Sequence, residues 1–209
     1  MSATFRLDRS KGILFDESGR RFDPGARSWA TSTATPSGDA VDAVSAATWV
    51  QRESGYPCRV PVGVIGPRQA TASQLSVAEA VGRGIALMGF PIICGGRDGV
   101  MAAVGKGAAA VGGITVGLLP DAEPSLANPH IDIVIATGIG EARNALIARA
   151  SLCIVAIGDS YGTLSEVALG RQFGKLVIGL EGAAQVEGVR HVADASAAID
   201  TIAELTIAR

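Results

Sequence analysis

The chain has 209 residues, 48% of them hydrophobic, with 27 glycines and only 18% charged residues, which is enough apolar material for a sizeable core and excludes a disordered chain. A formal net charge of -2 and an isoelectric point near 5.7 remove the electrostatic case for nucleic acid or an anionic membrane surface as partner. No run reaches the ~18 apolar residues of a membrane span, and Met1 to Ser10 lacks an apolar core, so a cytoplasmic protein is expected.

Residues 1 to 59 differ from the rest and hold six of the nine aromatic residues: Phe5, Phe15, Phe22, Trp29, Trp49 and Tyr56. Thr4 to Leu7 and Gly12 to Phe15 read as short strands, with Asp16-Glu17-Ser18-Gly19 as a hairpin turn leading to Arg20-Arg21-Phe22. Asp39 to Arg52 reads as a helix capped by Asp39 after Pro36-Ser37-Gly38. This arm is expected to be an extension of hairpin and helix, serving in packing or at a dimer contact. The expected main domain is 60 to 209.

From Val60 onward strands and helices alternate. The near-continuous apolar run Val60 to Ile65 predicts a parallel strand covered on both faces, followed by a helix over 73 to 88. Further strands are predicted at 92 to 94, 114 to 119, 131 to 136, 152 to 157 and 176 to 180, with helices at 99 to 111, about 140 to 150, 163 to 173 and 196 to 205. That alternation predicts right-handed βαβ units and a doubly wound parallel sheet, with ligand sites outside the carboxyl ends of its strands.

Cys58, Cys94 and Cys153 are widely spaced and read as buried reduced thiols; with no CxxC or Cys/His cluster, no metal site is expected. Three glycine-bearing turns fall at strand ends: Gly63 to Pro67, Gly95 to Met101 and Gly158 to Glu166. Glycine lets a backbone approach a phosphate closely, and the helix that follows adds unpaired amides and a positive dipole end. None of the turns fits GxGxxG, and no GxxxxGK[ST] loop is present, which disfavours nicotinamide oxidoreductases and P-loop nucleoside triphosphatases. Thr163-x-x-Glu166 has a structural reading as a capping box beside the functional one. Arg143 and Asn144 likewise read either as a solvated helix face or as an anion partner, since a cation in a first turn opposes the helix dipole.

The run Gly140-Glu141-Ala142-Arg143-Asn144, followed by Ile154 to Gly158 and Asp159-Ser160-Tyr161-Gly162-Thr163-Leu164-Ser165-Glu166, resembles the signature of the LOG-like Rossmann proteins of the SLOG superfamily. Gly95-Gly96-Arg97-Asp98-Gly99-Val100-Met101 and Gly63 to Gly66 are similar to that family's other glycine turns, and the resemblance spans roughly residues 60 to 207. It implies a Rossmann-like fold and a homo-oligomer, dimer or tetramer. One branch of the family contains cytokinin-activating phosphoribohydrolases, which use an Arg and the Glu of a Pro-Gly-Gly-x-Gly-Thr-x-x-Glu motif. The other, which the Arg-Asn pair and the Gly-Thr-Leu-Ser-Glu run resemble more, includes molybdenum-cofactor carriers that hold a phosphorylated pterin without turnover.

Carried over by position, Arg143 is the anion-binding or catalytic arginine, Glu166 the acid, and Gly162 and Thr163 the phosphate cradle. Gly66, Gly95, Gly96, Arg97, Gly99, Asn144, Gly158 and Ser160 complete the expected ligand contacts. No cofactor is required on this reading, and the bound species is a phosphorylated small molecule such as the molybdenum cofactor or a nucleoside monophosphate. The chain departs from the hydrolase pattern where Gly158-Asp159-Ser160 replaces Pro-Gly-Gly, placing a carboxylate in the loop that meets a phosphate. A lysine decarboxylase, a label some of the family carry, needs a Schiff-base lysine. Lys11, Lys106 and Lys175 all lie away from the carboxyl-end loops. The leading expectation is a carrier-like binding protein, with a phosphoribohydrolase and a nucleotide-sensing regulator with a docking aromatic arm as alternatives.

Overall fold

The computed structural model of the chain describes residues 4–208; the first three residues of the charged N-terminus lie outside that range. The chain divides into two compact units, one formed by the chain up to Cys58 with the segment from Ile199 onward, the other by Arg59–Ala198.

The first unit is an antiparallel sheet of five strands in the order β4-β3-β2-β1-β5. Its strands are β1 (Phe5–Asp8), β2 (Ile13–Phe15), β3 (Arg21–Asp23), β4 (Ser28–Ala30) and β5 (Asp39–Val41), followed by α1 (Ala43–Arg52). The hairpin turn forms as expected: Asp16 Oδ1 accepts from the Ser18 and Arg20 amides at 3.0 and 2.8 Å. Phe5 stacks on Trp29 at 5.8 Å between centroids, Phe22 meets the same ring at 5.0 Å, and Trp29 Nε1 donates to the Ile207 carbonyl at 2.6 Å. Trp49 is buried, so the two tryptophans form no exposed apolar patch of the kind a docking arm needs.

The predicted helix start at Asp39 is corrected by three residues. Asp39–Val41 is an edge strand in register with β1, Leu7 opposite Asp39 and Phe5 opposite Val41. The cap is Asp42, whose side chain accepts from the Ser45 amide at 2.7 Å. Ladder hydrogen bonds to β1 outweigh the local capping signal of Asp39.

The second unit is a seven-stranded parallel sheet in the order β12-β11-β10-β6-β7-β8-β9. The strands are β6 (Val62–Ile65), β7 (Ile92–Cys94), β8 (Thr115–Leu119), β9 (Ile133–Ala136), β10 (Ile154–Ile157), β11 (Val177–Leu180) and β12 (Val189–His191). Its helices are α2 (Ala72–Met88), α3 (Val100–Ala109), α4 (Asn144–Ala150) and α5 (Tyr161–Gln172); α6 (Ala195–Ile207) closes the chain, and from Ile199 onward it belongs to the first unit and not to the expected domain of 60 to 209. Every residue of β6, β10 and β11 is buried, as continuous apolar runs covered on both faces require. This is the Rossmann-like doubly wound sheet, with an N-terminal extension of hairpins and a helix.

Strand order reverses at β6, which sits between β7 and β10. The chain winds one way through β7, β8 and β9 and then returns to β10 on the other side, opening a crevice at the carboxyl ends of the central strands. Two short edge strands, β4 and β12, escape the sequence reading, because a three-residue strand is legible only as a buried apolar run such as β7, and these two are half-exposed and mixed in character. No described helix is long and apolar enough to cross a membrane.

Candidate functional site

A cavity of about 610 Å³ opens at that crevice, between the turns after β6, β7 and β10 and the start of α4. Its floor is a pair of buried charges. Arg143 ends a short 3-10 turn (Gly140–Arg143) leading into α4 and is 5% exposed; Glu166, one turn into α5, is 6% exposed. Arg143 Nη1 donates to Glu166 Oε1 at 3.1 Å and also to Asn144 Oδ1. Asn144 Nδ2 in turn donates to Ser165 Oγ at 2.8 Å, which donates to the Gly162 carbonyl at 2.7 Å. The network fixes the Nη1 side of the guanidinium against α5.

The other edge of the same group is unsatisfied. Arg143 Nε is buried and has no hydrogen-bond partner, although such donors are nearly always paired. Nη2 lies over Gly95, where a Cβ would come within 2.7 Å of both Nη2 and the Met101 sulfur. A side chain at position 95 would therefore displace the guanidinium. An arginine edge of this kind matches two oxygens of a phosphate or carboxylate.

Burial is the largest influence on Glu166 and pushes its pKa up to about 7; Glu141 adds to the rise and Arg143 opposes it. Cys94, at the end of β7, is pushed up to about 11, chiefly by burial, so it is an inert thiol and not a nucleophile. Among the described residues no group of three or more His, Cys, Asp or Glu side chains is placed to hold a metal ion.

The α5 entry corrects two expectations. The Thr163-x-x-Glu166 capping box does not form: the N-cap is Ser160, whose Oγ accepts from the Thr163 amide at 3.1 Å, and Glu166 faces Arg143 instead. The Thr163 amide, expected in the phosphate cradle, is thereby already paired. One residue earlier, Asp159 Oδ1 accepts from the Ser160 amide at 2.8 Å. Gly162 is different: a Cβ there would meet nothing closer than Ser160 Oγ at 3.8 Å, so open cavity lies in front of it.

Of the expected site residues, Gly66, Gly95, Arg143, Asn144, Ser160, Gly162, Thr163 and Glu166 line one cavity. Gly96, Arg97, Gly99 and Gly158 do not. Arg97, expected to supply compensating charge, donates to the Leu126 carbonyl at 3.2 Å and pairs with Asp121 at 3.4 Å. Gly99 is needed for the fold: φ is +70° and a Cβ would lie 2.3 Å from the Arg68 carbonyl oxygen. Sequence reasoning missed Arg68 and Gln69, which line the cavity just past the Gly66-Pro67 turn. The signal for Arg68 was its place as the first charged residue after the first strand-end glycine; Gln69 carried none. Glu141, Met101 and Asp159 also line it, from within motifs already singled out.

The sheet order, the crevice at its reversal and the buried Arg-Glu pair define a protein of the Rossmann-like class with a cavity at its switch point. The model of the SLOG cluster4 family matches residues 59–206, and the chain belongs to that family. It is similar to the molybdenum cofactor carrier protein of Chlamydomonas reinhardtii, with 35% identity, a TM-score of 0.67, and coverage of 73% of this chain and 100% of that one. It is also similar to the molybdenum cofactor binding protein of the phototrophic bacterium Rippkaea orientalis, with 34% identity, a TM-score of 0.66, and coverage of 69% and 96%. A protein of Archaeoglobus fulgidus is 40% identical over 129 residues, which are 62% of this chain and 85% of that protein.

Proposed function

We propose that the protein binds and carries a phosphorylated small molecule, and that the molybdenum cofactor is the ligand it suits best. The observation that carries this reading is the unpartnered Nε edge of buried Arg143 in the cavity, with Nη1 locked by Asn144 and Glu166. A guanidinium locked through Nη1 and still holding an unspent Nε donor at the cavity wall is suited to an oxyanion. The similarity to two molybdenum cofactor binding proteins over nearly their whole length supports the choice of ligand. The cavity's mixed walls, with Ile65 and Met101 beside polar Gln69 and Ser160, suit a flat heterocycle bearing a phosphate.

One observation favours a second reading. Glu166, lifted to about 7, exchanges a proton near neutral pH, as the acid of an N-glycosidic phosphoribohydrolase acting on a nucleoside 5′-monophosphate would. In that reading Arg143 orients the phosphate or ribose. Incubation with AMP while watching for free adenine separates the two. The carrier reading expects no turnover, with molybdopterin co-purifying or protected from oxidation. Adenine release abolished by Glu166→Ala would establish the hydrolase instead.

The protein is further proposed to work as a homo-oligomer. Ile133, Val134 and Ile135 of edge strand β9 are 50%, 37% and 45% exposed, an apolar edge that monomers seldom leave uncovered.

A further inference from the structure

The loop entering α5 spends its own side chains on the amides an anion would use. Asp159 Oδ1 holds the Ser160 amide at 2.8 Å, and Ser160 Oγ holds the Thr163 amide at 3.1 Å while bonding the Thr163 hydroxyl at 2.9 Å. These are the donors a phosphate takes at a helix N-terminus. Asp159 and Glu141 also put negative charge on the rim of the cavity, which raises the cost of seating a dianion there. Arg143, lining the same cavity, keeps a donor unpaired. Two amides of the α5 entry are thus already spent, while the guanidinium still has a donor to give.

Resting on the phosphate-binding reading above, we propose that Asp159 and Ser160 are specificity-determining residues. They occupy the Ser160 and Thr163 amides and direct the anionic end of the ligand to Arg143. The second carboxylate oxygen of Asp159 is left to accept a hydrogen bond from the ligand itself. A carboxylate only accepts, so the ligand must bring an O–H or N–H donor to it. The class selected is a phosphate monoester carrying hydroxyl or amino donors, in preference to inorganic phosphate. Gly162 also lines the cavity, and a Cβ there would meet nothing closer than Ser160 Oγ at 3.8 Å.

Calorimetric titration of the full chain with inorganic phosphate and with AMP tests this. The wild type should bind AMP about ten-fold more tightly than inorganic phosphate, the increment of one charge-assisted hydrogen bond. The Asp159→Gly/Ser160→Gly variant should bind inorganic phosphate about ten-fold more tightly than the wild type, because its helix amides are freed. Asp159→Asn keeps an oxygen for the Ser160 amide and the Ser160 cap, so its fold is retained. It should gain about three-fold for inorganic phosphate through lost repulsion and lose affinity for AMP. Unchanged phosphate affinity in Asp159→Asn and in the double variant overturns the inference, as does AMP binding no tighter than phosphate. The reading it rests on fails separately, if Arg143→Ala leaves AMP binding by the wild-type loop intact.

Discussion

Arg143 and Glu166 stand 23 residues apart in sequence and become a buried pair only because α4 packs on α5. Removing one partner of such a pair leaves an uncompensated charge, at a cost of about 3 kcal/mol. Arg143→Ala should therefore lower unfolding stability by about that much at pH 8, measured by urea denaturation, and by less at pH 5, where Glu166 is protonated. The pH dependence has a definite sign. The folded pKa of Glu166, about 7, lies above its ordinary 4.5, so the folded state binds the extra proton. Its stabilising contribution is complete below about 4.5 and is lost as pH rises through about 7. Glu166→Gln should flatten stability across that window; an unchanged slope would show that another group titrates there. The motifs made the importance of both residues legible. Their mutual burial was not, because it depends on packing between helices and not on spacing along either.

At the scale of elements, α5 shows why a local signal misleads. Thr163-x-x-Glu166 has capping-box spacing, yet the helix begins two residues earlier, at Tyr161, because Ser160 caps it first. Glu166 is then carried inward to Arg143. The same competition decides β5, where pairing with β1 draws Asp39–Val41 out of the predicted helix. The central strands were legible because apolar runs buried on both faces leave little ambiguity; β4 and β12 are half-exposed and hold no such run. Gly162, in the first turn of α5, has neither a positive φ nor a close neighbour that forbids a side chain. Gly162→Ala should therefore raise stability by up to about 1 kcal/mol through helix propensity, read as a higher melting temperature, while weakening ligand binding in the cavity it faces. A variant that binds as well as the wild type would free Gly162 from any ligand role.

For the whole molecule, the reversal of strand order at β6 places one cavity among three glycine turns, and this much follows from the alternation of strands and helices. The exposed apolar edge at β9 carries the expectation of self-association. Light scattering after size exclusion should give a mass above 21.2 kDa, the mass of one chain. Ile133→Lys/Ile135→Lys should shift it toward the monomer, and a monomeric wild type would remove the oligomer.

The central claim is that Arg143 holds the phosphate of a cofactor that the protein keeps intact. Its most direct test is the pterin content of protein loaded with molybdenum cofactor, read as fluorescence after oxidation, for the wild type and for Arg143→Ala compared in the folded state at pH 6. The account predicts pterin retained in proportion to wild-type protein and lost from the variant. Equal retention by both, or none by either, would contradict it.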